Sequence, residues 1–285
     1  MGIEPSSLQP QPVTAAEGPL RAVKDMIKRI APGGVQIYDQ LKRYTLDARS
    51  TMRRARIREL VKAQTGLVVQ AGPFAGMRLL DSRSWGDGDL TPKLLGTYEQ
   101  ELQPWLERFM EREYSAVVDI GCAEGYYAVG CARLFPRSRV YAFDADLHAI
   151  ELTRKNAEAN SVVDRLVLGG VCTPERLQQL AEEEENLLVI SDCEGYESEL
   201  FNFATVRALA GSDILIECHD FLRRGCTEAL TTAFAGHGVE LVLAGGRNLN
   251  VFPFLAHLND AERWEAVCEN RARQMHWLVY DSKRN

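Results

Sequence analysis

From Ala116 onward the apolar positions fall in short continuous runs, separated by stretches with helical spacing. The runs Ala116–Ile120, Arg139–Phe143, Leu166–Leu168, Asn186–Ile190 and Ile214–Ile216 read as buried strands. Between them the spacing predicts helices from the first strand through about Phe135, over roughly 147–159 and over 174–184. The acidic run Glu182 to Glu185 reads as a solvated helix end. Strands alternating with helices imply a parallel sheet covered on both faces. After a helix near 226–235 come the strand Val239–Leu243, a helix capped by Asn259 or Asp260 with Trp264 and Val267 facing inward, and the run Met275–Tyr280. Two strands after five strand–helix units predict a hairpin-like finish with one strand reversed. The chain has no internal repeat.

The N-terminal third reads differently. Residues 1–18 carry three prolines and little apolar content and read as a disordered arm. Met1 to Ser6 formally fits a myristoylation pattern, taken as chance because nothing else points to a membrane. Residues 19–65 read as two helices: Val23, Ile27 and Ile30 share a face of the first, which Ala31–Gly34 ends. The second carries Arg53, Arg54, Arg56 and Arg58, a solvated face or a dimer surface before a patch for an acidic partner. Residues 66–80 read as a small β-hairpin around a Gly/Pro turn, followed by a polar loop, Ser82 to Asp89, whose Arg83 and Trp85 are candidates for a substrate lid. Tyr98 to Glu113 reads as a helix with Leu102, Trp105, Leu106 and Phe109 on its apolar positions and Thr97 as a candidate N-cap. The expected division is an arm at 1–18, a helical extension with a hairpin at 19–95, and a nucleoside-binding domain at 96–285.

Composition narrows the function. Among 285 residues, 33 Lys+Arg stand against 40 Asp+Glu, a net charge of −7, which argues against a dedicated nucleic-acid binder. No apolar run is long enough to span a membrane and no secretory signal is evident. The seven cysteines are odd in number and none is spaced C-x-x-C, which disfavours a disulfide framework and a structural zinc site and fits a reducing cytoplasm.

The chemistry concentrates in the turn after the first strand, Asp119-Ile-Gly-Cys-Ala-Glu-Gly-Tyr-Tyr127. Ligands of open α/β sheets bind beyond the carboxyl ends of the strands, and Gly121 and Gly125 let the backbone turn sharply there. Asp144, 23 positions after Gly121, ends the second strand, where a carboxylate can accept hydrogen bonds from a ribose diol. A dinucleotide fingerprint needs glycine where this chain has Ala123 and Tyr126. Tyr126 is expected to crowd a pyrophosphate and Glu124 to repel it. S-adenosylmethionine (SAM), which has no phosphate, suits such a turn better than NAD.

These residues resemble known motifs. Asp119 to Tyr127 resembles the first motif of class I SAM-dependent methyltransferases, and Tyr141-Ala-Phe-Asp144 resembles their second-strand acid. Ser191-Asp-Cys-Glu-Gly-Tyr-Glu197 looks like the D-x-E-G-x-E signature of FkbM-type methyltransferases, and Ile216-Glu-Cys-His219 like their fifth-strand ending. One departure is Glu124 where many relatives carry Asn. The resemblance covers about 96–255 and implies a Rossmann-like seven-stranded, mostly parallel sheet of order 3-2-1-4-5-7-6, with O-methylation of sugars or natural products. It implies cofactor contacts from Tyr98, Glu99, Asp119, Gly121, Cys122, Ala123, Gly125, Asp144, Ala145, Val171 and Asp192.

Beyond the cofactor turn, the fourth strand delivers Asp192 and Glu194, and the fifth Glu217, His219 and Asp220. Three chemistries fit. His219 or a carboxylate, Asp192 or Glu194, can take the acceptor's proton. Asp192, Glu217 and His219 can ligate a divalent metal ion that acidifies a bound hydroxyl. The acids can instead serve structural hydrogen bonds and contacts to SAM. The reading reached is a SAM-dependent methyltransferase with a small-molecule or glycan acceptor, cytoplasmic, without membrane or nucleic-acid partner, and a homodimer through the N-terminal helices. Its rivals are a silent SAM-binding scaffold protein and a nicotinamide-dependent oxidoreductase.

Overall fold

The computed structural model describes residues 34–82, 90–269, 271 and 273–284, with side chains from residue 49. The expected arm at 1–18, the first predicted helix up to residue 33, and the lid candidates Arg83 and Trp85 lie outside the described residues. The chain divides into two compact units, Met1–Arg53 and Arg54–Asn285, and the sheet with its cavity lies in the second.

Seven strands form one sheet: β1 (Ala116–Ile120), β2 (Arg139–Phe143), β3 (Leu166–Gly169), β4 (Leu187–Ser191), β5 (Asp213–Cys218), β6 (Val239–Leu243) and β7 (His276–Tyr280). Their order is β3-β2-β1-β4-β5-β7-β6. β1 to β5 pair in parallel, whereas β7 runs antiparallel to both β5 and β6. This is the Rossmann-like seven-stranded order that the sequence motifs implied, with the reversed strand where the terminal hairpin was expected.

The alternation of side chains along the strands feeds two cores. Val117, Ile190, Leu215 and Val279 pack on one face, Val118, Val189, Ile214 and Leu278 on the other. Both faces are covered, so these strands read as unbroken apolar runs rather than alternating ones. Burying each such side chain stabilises by about 1.5–3 kcal/mol.

The helices are α1 (Gly34–Thr65), α2 (Leu90–Leu95), α3 (Gln103–Phe109), α4 (Tyr126–Leu134), α5 (Leu147–Ala159), α6 (Pro174–Glu183), α7 (Glu197–Leu200), α8 (Phe203–Ala208), α9 (Cys226–Ala233) and α10 (Asp260–Val267). Asn259 closes a capping box with Glu262 at the start of α10. Among the described residues no helix is long and apolar enough to cross a membrane.

Several local expectations need correction. The hairpin at 66–80 is reduced to a single antiparallel bridge, Val68–Arg78. Backbone bonds still tie the two arms, from Val69 N–H to the Met77 carbonyl and from Leu79 N–H to the Leu67 carbonyl, both at 2.8 Å, while the Phe74, Met77 and Leu79 side chains are buried in the core. The helix expected over Tyr98–Glu113 breaks into a 3-10 turn, Gln100–Leu102, and α3. Glu99 sets that break, because its left-handed φ of 44° cannot belong to a helix. Thr97 does not cap; its hydroxyl donates to the Val267 carbonyl at 2.8 Å. Trp264 faces outward with 43% of its surface exposed, while Val267 alone of that pair is buried. The arginines of α1 are matched to acids: Arg54 to Glu265, Arg56 to Glu262, and Arg58 to Asp81. These pairs lie within the second unit, and exposed pairs of this kind contribute at most about 1 kcal/mol each.

Candidate active site

A cavity of about 740 Å³ opens at the carboxyl ends of the central strands and is lined from β1, β2, β4 and β5. That volume suits a nucleoside-sized ligand plus a second small group. Three of its lining residues, Glu99, Ala123 and Glu194, hold left-handed backbone at φ 44°, 49° and 52°. Strain of this kind, about 1–3 kcal/mol per residue, clusters at functional sites.

The turn after β1 is pinned by its neighbours. The N–H groups of Gly121 and Cys122 both donate to the Phe143 carbonyl, at 2.8 and 3.0 Å, and Asp192 N–H donates to the Ile120 carbonyl at 2.8 Å. A Cβ on Gly121 would stand 1.7 Å from the Asp192 carbonyl oxygen, and φ there is +82°. The turn and the tip of β4 therefore touch through backbone alone. Gly125, at φ +88°, starts α4 against the Thr153 side chain, which a Cβ would meet at 2.8 Å.

Asp144 sits where the sequence put it, at the end of β2 on the cavity wall. Its two oxygens already accept from Ala123 N–H at 2.9 Å and Asp146 N–H at 2.8 Å. A carboxylate has about four lone-pair sites, so capacity remains for a ligand hydroxyl. Ala145, Val171 and Cys172 join Phe143 to give this end an apolar wall. Tyr98 and Ala123 also line the cavity, but Asp119, Cys122 and Gly125 do not. Asp119 is buried behind the turn, with one oxygen lacking any hydrogen bond and its carboxyl pushed up to about 7 by burial. The Cys122 thiol faces the Thr153 hydroxyl at 3.6 Å.

The argument from Tyr126 is overturned. Its ring turns into the core and packs edge-on against Phe74 and Tyr98, with centroids 5.1 and 5.2 Å apart. It therefore blocks no phosphate. Glu124 does reach the cavity, but Lys93 pairs with it at 2.5 Å.

At the other end, acids converge. His219, just past β5 and 1% exposed, places Nδ1 at 2.6 Å from the Glu197 carboxylate. Its Nε2 faces Asp192 at 3.4 Å, Glu194 at 3.5 Å and Glu217 at 3.6 Å. Burial lowers the His219 pKa, but the Glu197 hydrogen bond and the surrounding carboxylates outweigh it, and the net shift is upward. Burial raises Glu197, yet its bond to His219 brings it below the usual range. Asp192 is held well above the carboxylate range by burial and by the charge of Glu217.

Arg271 completes the cluster, bonding Glu217 and, at 3.0 Å, Glu99. Glu99 also accepts from the Tyr127 hydroxyl, and its N–H donates to Glu269 at 2.6 Å. Burial, then the Glu217 charge, raises Glu99 to about 8. The expected metal set of Asp192, Glu217 and His219 is divided in two. Asp192 groups with Glu194 and His219 in one cluster of potential ligand atoms within 4.8 Å, and with Glu99 and Glu217 in another. Asp220 instead bonds Thr227.

Sequence reasoning missed Glu197, Arg271, Glu269 and Lys93 as parts of this site. Only Glu197 left a signal, as the last acid of the D-x-E-G-x-E stretch.

A family model described as ribosomal protein L11 methyltransferase (PrmA) matches residues 100–191. A probable cobalt-precorrin-6B C(15)-methyltransferase (decarboxylating) of Pyrobaculum calidifontis is 41% identical over 76 residues, 26% of this chain and 39% of the relative. A ribosomal protein L11 methyltransferase of Acinetobacter baumannii is 43% identical over 63 residues, 22% of this chain and 20% of the relative. The matched stretches thus span about two fifths or less of these relatives. The crystal structure of a precorrin-6y C5,15-methyltransferase from Geobacter metallireducens aligns with a TM-score of 0.42 at 16% identity, covering 63% of this chain and 88% of that one.

Proposed function

We propose that this chain is a SAM-dependent methyltransferase in which His219 takes the acceptor's proton. The observation that carries this is a single cavity joining the Gly121 turn and Asp144 at one end to His219 and its carboxylates at the other. The family-model match supports the nucleoside half, because residues 100–191 contain the turn and Asp144.

The residues present fit the cofactor. Asp144 retains lone pairs for a ribose diol, and Val171, Cys172 and Phe143 offer an apolar wall to a base. Tyr98, Glu99 and the 121–125 turn take the methionine end. When bound, SAM supplies a methyl carbon activated by a sulfonium. Glu197 accepts the Nδ1 proton of His219, so neutral His219 presents the Nε2 lone pair to the cavity. Holding acceptor and base in fixed geometry is worth several orders of magnitude in rate. The resemblance to FkbM-type enzymes favours a hydroxyl acceptor on a sugar or natural product; the base chemistry requires only an acceptor that carries a proton. The division into an extension at 19–95 and a catalytic domain at 96–285, and a homodimer, belong to the same proposal.

Isotopically labelled SAM incubated with the protein and cell extract tests this reading by mass spectrometry of the products. Calorimetry with SAM and NAD separates it from an oxidoreductase, and NAD binding without SAM binding defeats it. A second reading rests on the clustered ligand atoms of Asp192, Glu194 and His219: a divalent cation held there. Elemental analysis and activity in chelator decide it, and full activity without bound metal removes it.

A further inference from the structure

We infer that the acceptor end of the cavity is built for a cationic nitrogen, an amine arriving as its ammonium, rather than for a neutral hydroxyl. This rests on the methyltransferase reading and goes beyond it to the class of acceptor.

One buried acceptor at this end has no hydrogen-bond partner, and a ring nitrogen faces the same acids. His219 is 1% exposed, lines the cavity and turns Nε2 toward Asp192, Glu194 and Glu217 at 3.4, 3.5 and 3.6 Å. One oxygen of Asp192 is buried without a hydrogen bond. With Nδ1–H committed to Glu197, Nε2 of the neutral ring is an acceptor, and the Asp192 oxygen is an acceptor too. Glu194 and Glu217 stand beside them. An ammonium brings three donors and no acceptor, which this group of atoms can satisfy. Arg271, the cation lining this end, is already bonded to Glu217 and Glu99.

Charge development points the same way. A hydroxyl that loses its proton as it attacks gathers negative charge on oxygen, which the nearby Glu194 and Glu217 oppose. An amine gathers positive charge on nitrogen, which they stabilise. In the balanced step, the ammonium gives one proton to His219 Nε2. The freed nitrogen lone pair then forms the N–C bond while the S–C pair returns to sulfur. The product is a methylated ammonium plus S-adenosylhomocysteine, and the proton leaves from His219 to water.

SAM carries an ammonium of its own, so the test saturates the protein with S-adenosylhomocysteine first. Wild type and Glu194→Gln, in chelator, are then titrated by calorimetry with n-butylammonium and with 1-butanol. The Glu194 side chain is 46% exposed, so its replacement leaves the core intact. Butylammonium is expected to bind wild type at least about ten-fold more tightly than butanol, and Glu194→Gln to weaken butylammonium about five-fold while sparing butanol. Butanol binding as tightly as butylammonium, or an equal effect of Glu194→Gln on both probes, overturns the inference. Failure to bind S-adenosylhomocysteine defeats the methyltransferase reading itself. Its binding without an ammonium preference defeats the acceptor class alone.

Discussion

Replacing Glu197 with glutamine tests the proton-transfer machinery at one atom. The Glu197 side chain is fully buried, with Oε1 at 2.6 Å from His219 Nδ1 and at 3.0 Å from Gly195 N–H. Glutamine keeps the volume and the acceptor oxygen but removes the charge. A hydrogen bond to a charged partner is worth about 1.5–3 kcal/mol, which converts to a roughly ten- to hundred-fold loss in kcat. The direction of the pH effect follows from the opposing forces on His219. Burial lowers its pKa; Glu197 is the largest influence raising it, with Glu217 and Glu194 behind. Removing the Glu197 charge moves the His219 pKa down. A base must be neutral to act, so the acid limb of the kcat–pH profile shifts to lower pH while the plateau falls. Initial rates of label transfer from SAM across the titration range read both effects. Far-UV circular dichroism and SAM affinity, expected to stay at wild-type values, separate this outcome from misfolding. An acid limb that stays in place or moves upward, or a loss confined to KM, refutes the role of Glu197 as the group orienting the base.

Other positions give independent checks. Gly121→Ala forces a Cβ to 1.7 Å from the Asp192 carbonyl oxygen at φ +82°, so it should cost about 2–4 kcal/mol and lower Tm by roughly 5–15 °C; an unchanged Tm is incompatible with this backbone contact. Asp144→Asn should weaken SAM binding about ten-fold by calorimetry with kcat at saturating SAM nearly unchanged, whereas a loss of kcat alone would place Asp144 away from the nucleoside. Glu99 holds its proton to about 8 in the fold against 4.5 when unperturbed. Between those values the folded state binds more protons, so stability declines as pH rises, by up to about 1.4 kcal/mol per pH unit. Glu99→Gln should flatten that part of the curve in denaturant titrations at stepped pH; an unaltered slope assigns the titration to another group.

The strands and most helices were legible because each is a local pattern. Buried runs such as Ala116–Ile120 and Leu187–Ser191 carry their own signal, and the Asn259 cap needs only its neighbours. The turn after β1 was legible for the same reason: glycines at 121 and 125 and an acid at 144 follow from chain geometry. Side-chain direction was not. Tyr126 looked like a wall of the ligand site, yet Phe74, 52 positions upstream, draws it into the core. The ion pairs were hidden too. Arg271 meets Glu99 across 172 positions, and Lys93 meets Glu124 across 31. No periodicity reports such pairs: Lys93 comes from α2 to the turn after β1, and Arg271 lies on the segment leading into β7, which returns antiparallel beside β5 and sets Trp277 opposite Glu217. The arginines of α1, read as a solvated face or dimer surface, have partners that no local pattern announces: Glu262 and Glu265 on α10 for Arg56 and Arg54, and Asp81 for Arg58.

The two ends of the cavity have different kinds of origin in the chain. The end proposed for the nucleoside is made by consecutive strand–loop units, β1 and β2, within the stretch that the L11-type family model matches. That match stops at Ser191, one residue before Asp192. Every acid facing His219 Nε2 lies after that point, on the tip of β4 or on β5. Arg271 comes from the segment leading into β7. The family-model match therefore covers the end of the cavity proposed for the nucleoside and leaves the His219 end to residues beyond it. In a sheet of this kind the donor half can stay constant while the later strands change which group accepts the methyl. In the proposed acceptor class that choice turns on the acids around His219, since Glu194 and Glu217 oppose negative charge on an oxygen and favour positive charge on a nitrogen.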